Sequence, residues 1–490
     1  MKELALIAVP FLVAVVAFLW PSERTRPWLL PVAGVIHAGL SLWLLIAPPV
    51  LAPGAWFGFD AVTRAVLPMV SLLFLVCSIY GVAYLKLRVE RKNRLFVFAL
   101  LVLLGFLSLA LQAQHLGLLW VAAEAATLMT VPLLHFNGTA RAFEASWKYL
   151  LIGGTGIALS LFGSFCLGYA SLNAGGSGDL TFGALAVQFT KPTSQVSEVI
   201  NLWHPWLIAA WVLLLAGYGT KMGLAPMHTW KPDAYGEAPA MVGAMLAGGI
   251  TTMAFVAVLR VKQVVDAAGA SAMTERTLLV FGLFSMFVAA LFLLGTPDFK
   301  RMLAYSSVEH MGILAVGAAL GKVGIWAALF HVWTNSLTKG ALFLSAGNIR
   351  RAAGARNENE VSGMAWRSPM SARIFIAGLF AITACPPFGP FFSELRIVRA
   401  AFEAGSTFTA VAFLGCLLFA FFGMTRLVFA IVDGRPRAAA RAVGDRFRET
   451  AGVILPPLAF LGFSIWLGLA TPSLLHAAWS AAAKLLFPTP

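Results

Sequence analysis

The sequence predicts an all-α polytopic membrane protein with about 14 transmembrane helices, and three observations lead to this fold class. The 490 residues are 60% hydrophobic and only 11% charged, with a mean hydropathy of +0.84, whereas a soluble domain has roughly 25% charged residues. Apolar runs long enough to cross a bilayer recur along the chain with short loops between them. The positive charge is concentrated in alternate loops, so membrane topology accounts for the net charge of +14 and nucleic-acid binding is not expected.

The apolar runs set the order of the predicted elements. The first run lacks a small-residue cleavage site and is followed by proline and charged residues, so we expect a retained helix rather than a signal peptide. Residues 473–487 are too few to cross a bilayer and are predicted to form a short surface helix. The predicted spans are 3–20, 28–48, 60–86, 95–112, 115–136, 145–172, 203–225, 237–261, 277–295, 302–320, 323–349, 371–400, 406–432 and 451–471.

Two of these spans are interrupted by prolines at matching places in the chain. The seventh breaks at LAPMHTWKP and the twelfth breaks at CPPFGPFFSE. Paired discontinuous helices are typical of inverted repeats that enclose a site at the bilayer midplane. We therefore predict a single membrane domain, 1–490, with two inverted five-helix repeats, on the basis of hydropathy and proline placement. Its parts are N-terminal helices in 1–94, repeats in 95–261 and 277–432, and a C-terminal helix and tail in 451–490.

The distribution of positive charge also predicts the orientation of the chain. Lysine and arginine concentrate in one alternate set of loops, in which we count Lys231 and Lys300. The positive-inside rule places this set in the cytoplasm and both termini outside, as expected for a multi-pass protein of the cell inner membrane. The longest loop, 173–202, is rich in glycine, serine and threonine and is predicted to be external.

The cysteines and loops give no sign of a cofactor. All four cysteines lie in apolar runs, and no two are close in sequence, unlike the ligands of an iron–sulfur cluster or a structural zinc. No glycine-rich phosphate loop follows a strand. We therefore expect no cofactor, no metal and no catalytic or redox centre in this chain. The cysteines are Cys77, Cys166, Cys385 and Cys416.

Two ionisable residues in separate apolar runs form the first candidate pair. Glu124 lies in LGLLWVAAEAATLMTVPLL without a compensating charge, and Lys221 lies just before the break in the seventh span. Because a charge at membrane depth is costly, such residues are usually functional. A buried pair whose contact can be made and broken changes the proton affinity of both groups, which is the minimum part of a proton pump. The alternative is a static ion pair that holds two helices together.

Three further ionisable residues extend the pair into a row. His331 and Lys339 are eight residues apart, just over two helical turns, so they face the same side of one helix. A histidine can relay a proton near neutral pH, although a buried core histidine is the alternative. Glu394 follows the second break, where a structural pairing with Arg396 is the alternative. The predicted proton pathway is Glu124, Lys221, His331, Lys339 and Glu394.

Other polar residues are candidates for access to this row. His228 and Asp233 sit in the first helix break, where an aqueous half-channel is expected to open. Glu309 and His310 lie near the start of the tenth span and are predicted either to line a cytoplasmic access path or to cap that helix end. Elsewhere, one turn separates Asp60 from Arg64, and this spacing favours a local salt bridge.

These motifs resemble those of the antiporter-like proton-channel subunits of respiratory complex I and of multi-subunit Na⁺/H⁺ antiporters. The similarity covers about residues 95–400 and is greatest to hydrogenase-4 component F, the membrane subunit of formate-hydrogenlyase-type hydrogenases. The stretches that carry it are LLWVAAEAATLM, GTKMGLAPMHTWKPDAYGEAPA, DFKRMLAYSSVEHMGI, HVWTNSLTKGALFLSAGNI and PPFGPFFSE.

The resemblance assigns roles to individual residues. It places the family's fifth-helix glutamate on Glu124 and its seventh-helix lysine on Lys221. It also places the eleventh-helix basic residue on His331 or Lys339 and the twelfth-helix charged residue on Glu394. The family often has lysine or histidine in the eighth helix, but the corresponding stretch here, AGGITTMAFVAV, has threonine at positions 251 and 252. A threonine hydroxyl can hold a water but cannot carry charge, so the row either runs through water there or is incomplete.

The resemblance leaves three functions open. The first is a proton-translocating subunit of an energy-converting oxidoreductase, a complex of the NADH dehydrogenase or hydrogenase type. Its expected partners are other membrane subunits, a hydrophilic redox arm and the lipid bilayer. The second is a subunit of a multi-subunit cation/proton antiporter. The third is a membrane partner of a proton-driven solute uptake system.

Overall fold

The structure is a computed structural model that describes residues 2–88, 90–190, 200–357, 360–433 and 447–487. Within these ranges all regular secondary structure is helical, and strand pairing is limited to three isolated bridges. The predicted all-α class is therefore confirmed. Part of the predicted external loop 173–202, including Lys191, lies outside the described residues, while another part forms a short helix that the sequence did not predict.

The helices follow the predicted order closely. They are α1 (Lys2–Leu19), α2 (Leu29–Ile46), α3 (Ala61–Lys86), α4 (Arg94–Gln112), α5 (Leu116–Leu134), α6 (Ala140–Asn173), α7 (Phe182–Thr190), α8 (Ile200–Met222), α9 (Trp230–Glu237), α10 (Ala240–Met245), α11 (Thr251–Ala267), α12 (Ser271–Gly295), α13 (Phe299–Ala319), α14 (Gly321–Ala353), α15 (Met364–Arg367), α16 (Pro369–Ile382), α17 (Gly389–Glu403), α18 (Thr407–Val432), α19 (Ala451–Leu469) and α20 (Ser473–Leu486). A π-helical segment, Leu246–Ile250, joins α10 and α11 into one continuous helix.

Ten helices in the described ranges are long and apolar enough to cross a membrane, so the exact count of 14 is not confirmed. The four predicted spans outside this set correspond to α8, α13, α14 and the pair α16 and α17. Each of the first three carries buried ionisable residues, and the last is split in two. These helices carry all of the predicted pathway residues except Glu124, which lies on α5.

Both predicted helix breaks are present. α8 ends at Met222, Gly223 adopts a φ of +78°, and the chain resumes as α9; α16 and α17 flank a second break with Ala384 at a φ of 55°. Backbone groups freed at membrane depth need partners, and the first break supplies them. The N–H of Ala225 donates to the Ser285 hydroxyl at 2.9 Å, and the Trp230 indole donates to the Thr220 carbonyl at 2.8 Å.

In each of the two predicted halves, two helices cross closely at a pair of glycines. α6 crosses α8 where Gly156 and Gly217 meet, and α12 crosses α13 where Gly282 meets Gly312. A Cβ atom on Gly282 would lie 2.9 Å from the Gly312 carbonyl oxygen, so both crossings depend on glycine. In both halves, successive helices are neighbours, α4 to α5 to α6 and α12 to α13 to α14. The inverted relation between the halves stays a prediction.

The C-terminal helix agrees with its predicted bounds. α20 packs against α3 and α14 through one apolar face and is too short to cross a bilayer. α14, by contrast, runs through the centre of the molecule and is buried along almost its whole length, with α13, α16, α17, α19 and α20 around it. α14 therefore forms the axis on which the second half is assembled.

The predicted pair of Asp60 with Arg64 is wrong. Asp60 instead accepts two hydrogen bonds from Arg260 of α11, at 2.9 and 3.0 Å, while Arg64 donates to the Leu45 carbonyl. Arg260 forms a bidentate pair with Asp60, and this pair is removed from solvent. It is therefore preferred over a pair with Arg64, one turn away. This ion pair ties α3 to α11.

We predict that Arg260→Met lowers the stability of the chain by about 3–5 kcal/mol, because it leaves the Asp60 carboxylate buried without its cation. Adding Asp60→Asn should recover much of this loss, since the amide can still cap α3. Thermal unfolding of the detergent-solubilised protein, followed by tryptophan fluorescence, measures both. Arg399→Gln is the control, because Arg399 is exposed and its ion pair among the described residues is with Glu403 one turn away. Equal effects of Arg260→Met and Arg399→Gln would contradict the assignment.

Candidate functional site

The structure brings the first predicted pair together. The Lys221 ammonium of α8 lies 3.6 Å from a carboxylate oxygen of Glu124 on α5. The two side chains differ in exposure, because Lys221 is 1% exposed and Glu124 is 24% exposed. The buried cation is therefore held by a carboxylate that reaches the surface of the chain.

Lys221 also has a second partner. Its ammonium donates to the Thr127 hydroxyl, one turn after Glu124 on α5. Gly153 of α6 leaves the space for this head group, since a Cβ atom there would lie 3.0 Å from the Lys221 nitrogen. The Tyr149 ring closes the other side, with its centroid 5.8 Å from that nitrogen. Lys221 can thus exchange between an anionic and a neutral acceptor without leaving its pocket.

Lys339 lies in the centre of α14 and is fully buried. Its ammonium donates to the Ser306 hydroxyl of α13 at 2.7 Å and to the Leu303 carbonyl at 3.3 Å. Unlike Lys221, it forms no ion pair with a carboxylate within the described ranges. Its partners are a hydroxyl and a carbonyl, which stabilise the charged form less than an anion does.

His331, two turns before Lys339 on α14, also faces α13, as its spacing predicts. Its Nε2 lies 3.0 Å from Nδ1 of His310, and its Nδ1 lies 2.8 Å from the Ser393 hydroxyl of α17. Ser393 donates its own hydrogen to the Pro390 carbonyl, so it accepts from His331. We therefore assign the proton of neutral His331 to Nδ1, which leaves Nε2 to accept from His310.

His310 and Glu309 do not lie at a helix end, although the sequence placed them near one. They occupy the middle of α13 and are buried. One oxygen of Glu394, on α17, lies 3.9 Å from Nδ1 of His310. His310, His331 and Glu394 thus form a buried cluster at the second helix break. The two imidazole planes are 17° apart and their nearest nitrogens are within hydrogen-bonding distance, the geometry of a direct proton relay.

The suspected pairing of Glu394 with Arg396 is absent among the described ion pairs. The Arg396 guanidinium instead stacks on the rings of Trp326 and Phe330, at 4.7 and 5.2 Å from their centroids. Both carboxylate oxygens of Glu394 are buried without a hydrogen-bond partner. A buried carboxyl in this state is better placed to exchange a proton than one clamped by an arginine.

Sequence reasoning placed Lys231 among the loop cations, and this placement is wrong. The side chain is 0% exposed and donates to the Ser307 hydroxyl of α13 at 3.1 Å. The adjacent proline and the polar sequence of α9 suggested a solvated turn. A lysine ten residues after Lys221, on the same broken span, was the signal that could have identified it.

The stretch at which threonine interrupts the row of ionisable groups belongs to α11 in the structure. Thr251 and Thr252 are buried on α11, and the Thr251 hydroxyl donates to the Ala247 carbonyl of its own helix. That hydroxyl is therefore engaged within the helix. The residues that sequence reasoning missed near this gap are Thr127, Lys231, Ser306, Ser307 and Ser393.

An open polar cavity reaches the first break from the end of the bundle at which α6 and α13 begin. Its volume is about 370 Å³, and Asp233 lies in its wall between Lys148 and Arg301, with which it forms ion pairs. The predicted access role of Asp233 therefore has a matching opening. His228 is buried beside the rings of Phe292 and Tyr305, away from the residues that line this cavity.

A second cavity, of about 430 Å³, opens at the other end of the bundle, where α14 begins and α17 ends. Arg396 lies in its wall together with Trp326 and Glu403. The two openings therefore lie at opposite ends of the bundle, one near α9 and the other near α17.

Comparisons with known proteins agree with this architecture. A sequence profile for the family described as NADH:quinone oxidoreductase/Mrp antiporter, TM, matches residues 113–420. The hydrogenase-4 component F homolog of Methylacidiphilum infernorum is 30% identical over 473 residues, which are 93% of this chain and 97% of the relative. NADH-quinone oxidoreductase subunit N of Desulforudis audaxviator is 31% identical over 417 residues, 83% of this chain and 80% of the relative.

Solved structures share the same fold. A chain of the Mrp complex from Dietzia sp. DQ12-45-1b superimposes with a TM-score of 0.84 at 23% identity, covering 99% of this chain and 98% of that one. A chain of respiratory complex I from Thermus thermophilus superimposes with a TM-score of 0.76 at 23% identity, covering 97% of this chain and 99% of that one. At these identities the similarity establishes the fold alone.

Proposed function

This chain belongs to the NADH:quinone oxidoreductase/Mrp antiporter transmembrane family, and we propose that it is the proton-translocating membrane subunit of an energy-converting oxidoreductase. The observation that carries the proposal is the Lys221–Glu124 pair, because it joins a buried cation to a partly exposed anion at the end of a row of buried ionisable groups. Such groups are costly at membrane depth, and ionisable residues kept there mark ion pathways.

The first step is the making and breaking of the Lys221–Glu124 contact. While Glu124 is ionised and 3.6 Å away, it stabilises the proton on Lys221. When the carboxylate is neutralised or drawn to another cation, Lys221 retains only the neutral Thr127 hydroxyl as partner. Loss of the anion destabilises the charged amine, and its proton is released toward the centre of the chain.

The proton then passes to the second half of the chain. Lys339, held by Ser306 and the Leu303 carbonyl, receives it and passes it to the His310, His331 and Glu394 cluster. The 3.0 Å contact between the two imidazoles allows direct transfer within this cluster. Release follows through the opening beside Arg396. Uptake uses the opening that contains Asp233.

The exposure of Glu124 supports the assignment to a larger complex. At 24% exposed on α5, its carboxyl is accessible to a neighbouring membrane subunit, whose charge would compete with Lys221 for it. Redox chemistry in a hydrophilic arm would supply that charge movement. The names of the relatives, a hydrogenase-4 component and an NADH-quinone oxidoreductase subunit, favour an oxidoreductase partner and an inner-membrane location.

Purification of the native complex through an affinity tag on this chain tests the partners. We expect further membrane subunits together with a hydrophilic arm that contains iron, and nickel if the complex is a hydrogenase. Mass spectrometry and metal analysis measure these directly. A complex of membrane subunits without redox metal, whose vesicles exchange Na⁺ for H⁺, would instead establish the cation/proton antiporter function.

We predict that Lys221→Met or Glu124→Gln abolishes proton translocation while the complex remains assembled, because either change removes one member of the switchable pair. Fluorescence quenching of a pH-sensitive dye measures translocation in inside-out vesicles supplied with the electron donor that the purified complex oxidises. Glu90→Gln is the control, since Glu90 is an exposed partner of Arg88 and lines neither opening. Unchanged translocation in both variants would exclude this mechanism, and loss of assembly would favour a static ion pair.

A further inference from the structure

The row of buried groups has a gap between its two halves. Lys221 contacts α5 and α6, whereas Lys339 contacts α13. The helix formed by α10 and α11 contacts both halves, but where the family often has lysine or histidine it has only threonine hydroxyls, at positions 251 and 252. A proton that leaves Lys221 therefore needs another ionisable group before it reaches Lys339.

Lys231 lies in that gap. Its stem passes over Gly223, the second residue after Lys221, so that a Cβ atom on Gly223 would lie 2.8 Å from the Lys231 ammonium. Gly223 also has a φ of +78°, which favours glycine. The first helix break thus creates both the turn and the space that bring Lys231 back against the end of α8.

On its other side, Lys231 reaches α13, the helix that also binds the head group of Lys339. Its ammonium donates to the Ser307 hydroxyl at 3.1 Å, and Lys339 donates to the adjacent Ser306 hydroxyl at 2.7 Å. Two consecutive serines of α13 therefore hold the two lysine head groups. Because Ser306 and Ser307 belong to one turn of α13, no large movement is needed to connect the two lysine head groups.

Aromatic rings enclose Lys231 along the same line. Its ammonium lies 6.0 Å from the Trp230 ring and 5.9 Å from the Tyr235 ring. The Trp230 ring also packs at 5.1 Å from Tyr149, which lies over Lys221. These contacts favour a cation, yet Lys231 forms no ion pair with any carboxylate in the described ranges. The nearby Asp233 is already paired with Lys148 and Arg301.

We propose that Lys231 is the proton-carrying amine between Lys221 and Lys339, and that α13 serines 306 and 307 link it to Lys339. This inference rests on the proposed function. The path runs from the Lys221 ammonium to Lys231 at the first break, then along the serine pair to Lys339. Lys231 is the group suited to this step because it is buried, lacks an anion that would fix its proton, and contacts both halves.

Two substitutions separate a carrier from a fixed cation. Lys231→Met removes the charge. Lys231→Arg keeps the charge and the hydrogen-bond donors but does not release its proton. If Lys231 carries the proton, translocation in inside-out vesicles falls to background in both variants, while the oxidation of the electron donor and the subunit composition are kept. The matched control is Lys262→Met combined with Asp266→Asn, which removes a buried lysine with its own carboxylate partner and should leave translocation unchanged.

The outcomes are distinguishable from a failure of the proposed function. Translocation near the wild-type rate in Lys231→Arg would overturn the inference, because a permanently charged side chain would then suffice. So would wild-type translocation in Lys231→Met. If the Met variant does not assemble, the Arg variant decides alone. If Lys221→Met also translocates normally, the proposed function itself fails, whereas loss in Lys221→Met with retention in both Lys231 variants removes only Lys231.

Discussion

The cost of placing an ammonium group away from water determines how the centre of this chain is built. Three lysines are buried there, and each donates to a hydroxyl on a neighbouring helix. Lys221 donates to Thr127, Lys231 to Ser307 and Lys339 to Ser306. Each hydroxyl offsets part of the desolvation cost without adding a charge of its own. The lysines can therefore be buried while their protons remain exchangeable.

Each of the two helix breaks positions an ionisable group near the buried lysines. The first turns the chain at Gly223 and returns Lys231 to the end of α8. The second starts a new helix at Gly389, which places Ser393 and Glu394 within the first two turns of α17. One break thus positions a cation and the other positions an acid, and α13 contacts both.

The sequence predicts most of this fold because the signals are strong and local. Apolar runs of membrane length and two proline-interrupted spans specify the helices and the breaks, and single charges in apolar runs identify Glu124, Lys221 and Lys339. The remaining features depend on tertiary contacts. Lys231 resembles a loop cation because its neighbours are polar, and only the folding of α9 against α13 buries it. The preference of Asp60 for Arg260 over Arg64 likewise depends on a helix 200 residues away.

The partners of the three lysines differ, and this difference bears on the direction in which a proton moves. Lys221 has a carboxylate 3.6 Å from its ammonium, whereas Lys231 and Lys339 are held by hydroxyls and carbonyls. An anion at that distance stabilises an ammonium more than a neutral dipole does, so the proton is held most firmly at Lys221 while the pair is intact. Once Glu124 is neutralised, the three sites become similar in kind, and the neighbouring charges of Lys231 and Lys339 repel each other. In the proposed mechanism, the state of one partly exposed carboxyl therefore controls whether the proton stays in the first half or moves into the second.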